Sequence, residues 1–349
     1  MNKLKKIGLS ALAGSLAMTT ANAVDYVIAG DAAIGYTGES ANTSIANGDG
    51  FALDTSIYLD ASGSLDNGWN VSFSMDWDNE SGTVANTSTQ AAVTMGSMGT
   101  IQINQIGGSA GNAIDDVTPS AYEEAYGMGT LADGTSGSNV GGDAGFFGSS
   151  TSSGSIQYTA PAIETAGATI TASIGFDPAA NGGANSFGSS VGGEKGMFYV
   201  LKVAHESGLE IGAGLEEVDT NGNIGTAAGR EAKDEESVTA YAKYAMGPLS
   251  VGIQQSYQDT LDGGADFEAD MWSIAYTAGD VSVSYGETET TTKAVSAAAR
   301  TTDADAIAIS YSMGSMTIQA QKSEQARSIA GTAGSTTLDE TGIKVSFAF

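Results

Sequence analysis

The sequence predicts an all-β chain closed into a 16-stranded antiparallel transmembrane barrel, and three observations carry that prediction. Apolar and polar side chains alternate with a period of two along most of the chain, the signature of strands with one greasy and one wet face. The connections between those strands are short and long by turns from end to end. No segment beyond the N-terminal region approaches the roughly 20 apolar residues that a spanning helix needs. The last eight residues, Gly342 to Phe349, are a clear case, with Ile343, Val345, Phe347 and Phe349 on one face. A soluble domain buries such a face under a second layer, and this chain has too little helix or core to do so. A barrel that meets lipid outside and water inside satisfies both faces and the backbone together.

The N-terminus reads as a secretory leader. Lys3, Lys5 and Lys6 form its positive region, Ile7 to Ala17 its apolar stretch, and Ala21-Asn22-Ala23 a cleavage site, so residues 1–23 are expected to be removed and 24–349 to form the barrel. Strands are expected near 25–37, 51–63, 68–79, 89–96, 99–107, 153–160, 167–177, 195–205, 208–219, 236–246, 248–259, 267–278, 280–289, 303–313, 315–325 and 338–349. Outward faces are explicit in several: Val71, Phe73, Met75 and Trp77 alternate with Ser72, Ser74 and Asp76, and Leu209, Ile211, Ala213 and Leu215 with Glu210, Gly212, Gly214 and Glu216. A carboxylate such as Asp76 or Glu210 is costly between two packed sheets and cheap in a wet lumen.

Tight turns fall at 97–99, 206–208, 246–248, 278–280 and 313–315, each with a glycine to take unusual backbone angles. Longer polar loops fall near 38–50, 80–88, 108–152, 178–194, 220–235, 260–266, 290–302 and 326–337. Short turns on one rim and long loops on the other mark an outer-membrane barrel, and an even strand count returns both ends to the periplasmic side. A β-sandwich, the competing fold, does not require that alternation.

Charge narrows the function. Thirteen basic residues, three of them in the leader, face 41 acidic ones, for a formal charge of −28. Such a polyanion repels nucleic acid. Cysteine is absent, so no disulfide forms. The mean hydropathy of −0.06 looks soluble, as it does for barrels, whose two faces average out. An enzyme is not expected. His205 is the sole histidine and lies beside a turn, and no G-x-S-x-G elbow, Walker loop or zinc-spaced ligand set occurs. Asp219-Thr220-Asn221-Gly222-Asn223 starts like an EF-hand, but Ile224 and Arg230 occupy the positions that demand glycine and glutamate. Acid clusters around Asp219, with Glu216 and Glu217, and around Asp262 and Asp266, with Glu268 and Asp270, remain candidate calcium ligands or plain solvated acids; no other cofactor is expected. Divalent ions could also bridge such loops to anionic lipopolysaccharide.

The stretch 108–152 is too long for a simple hairpin and carries Asp115, Asp116, Glu123 and Glu124 before a Gly/Ser-rich tail with Phe146 and Phe147. A cleavable leader, sixteen alternating segments, an acidic third loop and a terminal phenylalanine together resemble a general diffusion porin of a Gram-negative outer membrane. The resemblance implies a trimer, a third loop folded into the barrel, and those four acids at a constriction. It also implies passive diffusion of small hydrophilic solutes and ions. The family often opposes the loop with wall arginines. Here Arg230, Arg300 and Arg327 all fall in predicted long loops, leaving Lys202, Lys243 and Lys344 as the lumen-facing cations. Lumen acids, among them Asp31, Asp54, Asp60, Asp76, Glu210 and Glu216, outnumber them, so cation preference is expected. The alternatives are a solute-specific channel with a track of Tyr122, Tyr126, Phe146 and Phe147, and a non-conducting surface barrel.

Overall fold

The computed structural model describes residues 25–41, 49–80, 83–126, 147, 151, 154–180, 194–219, 234–259, 265–294, 299–329 and 335–349; the expected leader, Phe146, Arg230 and Asp262 lie outside the described residues. The chain runs through β1 (Asp25–Ala41), β2 (Asp49–Ser64), β3 (Asn70–Glu80), β4 (Thr83–Thr94), β5 (Thr100–Ile106), β6 (Ser155–Thr159) and β7 (Ile163–Thr165). It continues with β8 (Ala168–Ala180), β9 (Glu194–His205), β10 (Leu209–Asp219), β11 (Glu235–Met246) and β12 (Leu249–Asp259). The last five strands are β13 (Ala265–Ala278), β14 (Val281–Ala294), β15 (Arg300–Met313), β16 (Met316–Ile329) and β17 (Ser335–Ala348). β6 and β7 are two halves of one stave, both paired with β8 and separated by Pro161, which has no N–H to give a ladder. The wall therefore has sixteen staves, as the sequence predicts.

Every neighbour is antiparallel, and β1 pairs with both β2 and β17, so the sheet has no edge. At the seam Gly30 and Phe349 exchange both backbone hydrogen bonds at 2.9 Å. The expected turn glycines adopt positive φ: Gly99, Gly208, Gly247, Gly279 and Gly314. One turn was not foreseen, at Ala166-Gly167, where both residues take positive φ between β7 and β8.

Two expectations are corrected here. Several strands outrun their predicted ends: β4 begins at Thr83, β14 reaches Ala294 and β16 reaches Ile329, so much of the predicted loops 80–88, 290–302 and 326–337 is ladder. Threonine-rich runs such as Thr290-Thr291-Thr292 suit a strand although they are polar on both faces. Consequently Arg300 starts β15, and Arg327 lies within β16, 3% exposed, its Nε donating to Thr302 Oγ1 at 3.4 Å. Both share the inward face of their strands, so the three lysines are not the sole inward cations that the sequence led one to expect.

The second correction concerns the acids. Trp272 lies on the outer face, and its Nε1 donates to Glu287 at 3.0 Å, as does the Tyr285 hydroxyl at 2.7 Å. Glu287, Asp305, Glu324 and Asp339 follow one another in register across β14 to β17, and Asp270, Glu289 and Asp303 form a second row. These carboxylates share the outward face with Trp272, on its long-loop side. Acids on strands are thus not confined to the lumen.

Candidate functional site

The loop after β5 turns into the barrel and runs along the inner wall. Its backbone is tied down by inward side chains of five separate strands. The Ala110 N–H donates to Gln157 Oε1 at 2.7 Å, Val117 N–H to Gln254 Oε1 at 2.8 Å, Ala121 N–H to Ser284 Oγ at 2.8 Å and Glu123 N–H to Gln321 Oε1 at 3.0 Å. In return Gln254 Nε2 donates to the carbonyls of Ile114 and Asp115 at 3.0 and 2.6 Å, Ser273 Oγ to Pro119 at 2.7 Å, and Gln321 Nε2 to Glu124 at 3.0 Å. A loop in a wet lumen needs such partners, because its backbone has left both ladder and bulk water.

Two apolar clusters add to the grip. Ile114 and Phe147 of the loop pack on Phe198, Val200 and Tyr241 of the wall, and Ala125 and Tyr126 pack on Ala269, Met271, Ala304 and Ala306. Each large apolar side chain so buried contributes about 1.5–3 kcal/mol. Glycines make the room: a Cβ on Gly214 would collide with the Phe147 ring, and one on Gly252 would stand 2.6 Å from Pro119 Cδ. Phe147 and Tyr126, expected as part of an aromatic track, are 1% and 5% exposed and belong to these packed seats.

The four loop acids differ in their surroundings. Asp115 closes a short 3-10 turn, Asn112–Ile114, and its Oδ1 accepts the Asp116 N–H at 2.9 Å. Asp116 Oδ2 accepts the Tyr126 hydroxyl at 2.9 Å. Burial pushes the Glu123 carboxyl up from its ordinary value, while the Lys344 ammonium pulls it partly back. Glu124 is pushed up to about 7, by burial first and then by the charge of Asp116. Burial, with help from Glu123, also raises Tyr122.

Lys344 is the register partner of Gln319, whose Nε2 donates to the Ala121 carbonyl at 3.3 Å, so it stands level with the loop. Lys243 is the register partner of Gly252, against which Pro119 of the loop sits, and Lys202 is the partner of Gly212, two residues from Glu210. Lys243 Nζ is 3.2 Å from Glu210 Oε1, which also accepts the Tyr241 hydroxyl at 2.7 Å. Glu216, 1% exposed, is taken up by Thr151, whose N–H and hydroxyl reach Oε1 at 2.8 and 2.6 Å. Asp76 faces the lumen from β3, opposite Tyr58 and Ser88.

The wall away from the loop, β1 to β5, turns Asp31, Asp54, Asp60, Asp76 and Asp78 inward, and the Tyr58 hydroxyl donates to Asp31 at 2.6 Å. From Ile7 to Glu194 the sequence holds no lysine, arginine or histidine, so this wall has no cation at all. That sequence signal and the glutamine anchors 157, 254 and 321 are features that reading by alternation alone passes over.

As for metal ligands, Glu216 and Glu217 point to opposite faces of β10, which splits the expected Asp219 cluster. Asp266, Glu268 and Asp270 share an outward face, with Lys293 paired to Glu268. Among the described residues no three acidic or histidine side chains converge as a metal site. His205 Nδ1 accepts the Ser207 N–H at 3.1 Å and lies 2.8 Å from its hydroxyl, a contact within the turn.

A closed sixteen-stave barrel with a loop folded against its inner wall defines an outer-membrane pore. Residues 8–321 match the model of the Gram-negative porin family, and the chain belongs to that family. It is an outer-membrane diffusion pore. Its fold is similar to an anion-selective porin from Comamonas acidovorans (14% identity, TM-score 0.61, 94% of this chain and 100% of that one). It is also similar to the trimer form of in-vitro folded OmpT, an outer membrane protein of Vibrio cholerae (12% identity, TM-score 0.61, 95% and 100%). A third similar structure is Salmonella typhi OmpF in complex with daunomycin (11% identity, TM-score 0.60, 93% and 97%). No curated protein matches the chain.

Proposed function

We propose that this porin is a cation-preferring general diffusion pore, narrowed by the loop of residues 108–152, with Asp115, Asp116, Glu123 and Glu124 at the constriction. The observation that carries the reading is the charge on the two sides of the gap. Acids line the loop, five aspartates line the facing wall, and of the lysines paired with loop-contacting wall residues, Lys243 is already bound to Glu210, which leaves Lys344 facing the loop acids. Acid-lined pores favour cations. Selectivity varies on this fold, since one similar structure is an anion-selective porin, so the sign rests on this chain's own residues. The test is a planar-bilayer reversal potential in a potassium chloride gradient: a cation-selective sign is expected, and an anion-selective sign overturns the reading. Glu210 beside Lys243 then forms a neutral pair that leaves the sign of the pore to the remaining acids.

Passage is passive and without solute specificity on this reading, because Tyr126 and Phe147, two of the four aromatics of the expected track, are buried where they hold the loop in place. Flux that saturates with one sugar and not with others would favour the solute-specific alternative. The mature chain is residues 24–349 after cleavage behind Ala23, checked by N-terminal sequencing of the membrane form. It assembles as a homotrimer through the small-residue outer faces of segments 25–35 and 89–96; a cysteine at Ala32 that crosslinks no neighbour would refute that contact. The outward acid rows of β13 to β17 meet lipopolysaccharide through divalent ions, and chelation would strip copurifying lipopolysaccharide from the protein.

A further inference from the structure

On the inner wall, one row of side chains crosses the seam where the barrel closes. Glu39 of β1 stands opposite Glu340 of β17, and Glu340 stands opposite Ser323 of β16. All three face inward, as Gln321 and Lys344 do. Residues directly opposite in an antiparallel pair bring their Cβ atoms within about 4.5–5.5 Å, and like charges there repel. Yet the first and last strands of the barrel meet at this height through two carboxylates. Glu340 is 1% exposed, and neither of its carboxylate oxygens has a hydrogen-bond partner among the described residues. Ser323, also 1% exposed, has a hydroxyl without a partner among the described residues. Two adjacent, buried, unsatisfied polar groups are costly, and an isolated buried carboxylate far more so. The next residue in the row, Ala306, carries Ala125 of the third loop, so the loop roofs this spot. The Glu340 charge reaches Tyr122 of the same loop.

We propose that Glu39, Glu340 and Ser323 form a binding site for a hard divalent cation, calcium or magnesium, that pins the first strand to the last. The chemistry fits: two carboxylates supply charge, the hydroxyl supplies a neutral oxygen, and hard cations take oxygen ligands of both kinds. Bound there, the ion converts the repulsion across the seam into a bridge and satisfies both buried groups at once. The site is distinct from the outward acid rows, which lie on the other face of the same strands. It does not depend on the pore's ion preference.

The experiment uses the purified full-length mature protein in detergent, with terbium as a luminescent probe competed by calcium, and with thermal unfolding followed in calcium and in chelator. Sensitised terbium emission is expected in the wild type, with loss of one calcium-competable site in both Glu39→Gln and Glu340→Gln. Glu164→Gln, exposed on β7 and outside every acid row, retains it. The unfolding temperature should rise with calcium in the wild type and much less in Glu340→Gln. In chelator the order reverses, and Glu340→Gln is the more stable protein because the repulsion has gone. Equal terbium binding by wild type and Glu340→Gln overturns the proposal. So does a wild type whose seam behaves identically in calcium and chelator and responds only to pH, since a proton would then be the occupant.

Discussion

Gln254 and Val117 are 137 residues apart in sequence, and the side-chain oxygen of one accepts the backbone N–H of the other at 2.8 Å. The same side chain donates to the carbonyls of Ile114 and Asp115 and to Thr239 Oγ1, so one amide serves four loop and wall groups from a position 1% exposed. Leucine has a similar size and none of these bonds. Leaving buried backbone groups unpaired costs about 1–3 kcal/mol. Gln254→Leu is therefore expected to raise the population of undocked loop roughly tenfold, at about 1.4 kcal/mol per decade. Single-channel recording reads this as added open-state noise, with the barrel's heat-modifiable gel mobility unchanged. A silent channel trace identical to wild type would show that the anchor is redundant.

The second seat is steric. Gly214 faces Phe147 and Ile114, and any Cβ there collides with the phenylalanine ring. Gly214→Val should displace the Phe147 end of the loop without touching the ladder, since valine suits a strand. Overpacking of this kind costs about 1–3 kcal/mol. The expected result is higher mean conductance and faster protease cleavage of the loop, whereas Gly279→Val, at an open rim turn, would strain the turn and leave conductance alone.

The Glu124 carboxyl, pushed up to about 7 by burial and by Asp116, makes pH the next test. Above pH 7 it is ionised and adds a negative charge at the constriction; below pH 7 it is neutral. Cation preference should therefore fall between pH 8 and pH 6, and Glu124→Gln should hold the lower value across that range. The stability sign runs the other way. A carboxyl whose pKa is raised in the docked state favours docking most fully below its ordinary value of 4.5, and that contribution is lost as pH rises through 7. Loop noise should thus grow from pH 6 to pH 8 in the wild type and stay flat in Glu124→Gln. Reversal potential and noise measured on the same channels separate the two effects.

The stave count, the closing pair and the turn glycines were legible because each rests on local chemistry: period two, an even number of strands, positive φ. The third loop was legible by its length and its acids. Its anchors were not, because Gln157, Gln254 and Gln321 look like ordinary lumen residues until the fold brings them to the loop, and Phe198 and Tyr241 look like misplaced core. Arg327 was assigned to a loop because polar strands that run beyond the membrane carry no apolar period to mark them. The outward carboxylates Glu287 and Asp305 were missed for a related reason: alternation reports that two faces differ, and it does not report which solvent each face meets at a given height.

Closure of the barrel gives the last test. Gly30 lies in β1 where Phe349 pairs with it on one side and Ser56 and Ile57 on the other. A Cβ added there would stand 2.8 Å from the Ser56 carbonyl oxygen and 3.8 Å from the Phe349 ring. The first contact is backbone and cannot rotate away, so the strand itself must shift. Gly30→Val should lower the unfolding temperature and slow refolding into detergent, because the seam is the pairing with the longest chain separation and closes against the largest loop entropy. Gly50→Val, in β2 where an added Cβ meets nothing within 4 Å, serves as the control. If Gly30→Val refolds at the wild-type rate and to the wild-type midpoint, the close approach of β1 to its neighbours is not what limits closure. If it folds slowly yet reaches a normal conductance, the barrier lies in joining the two ends and the pore is untouched.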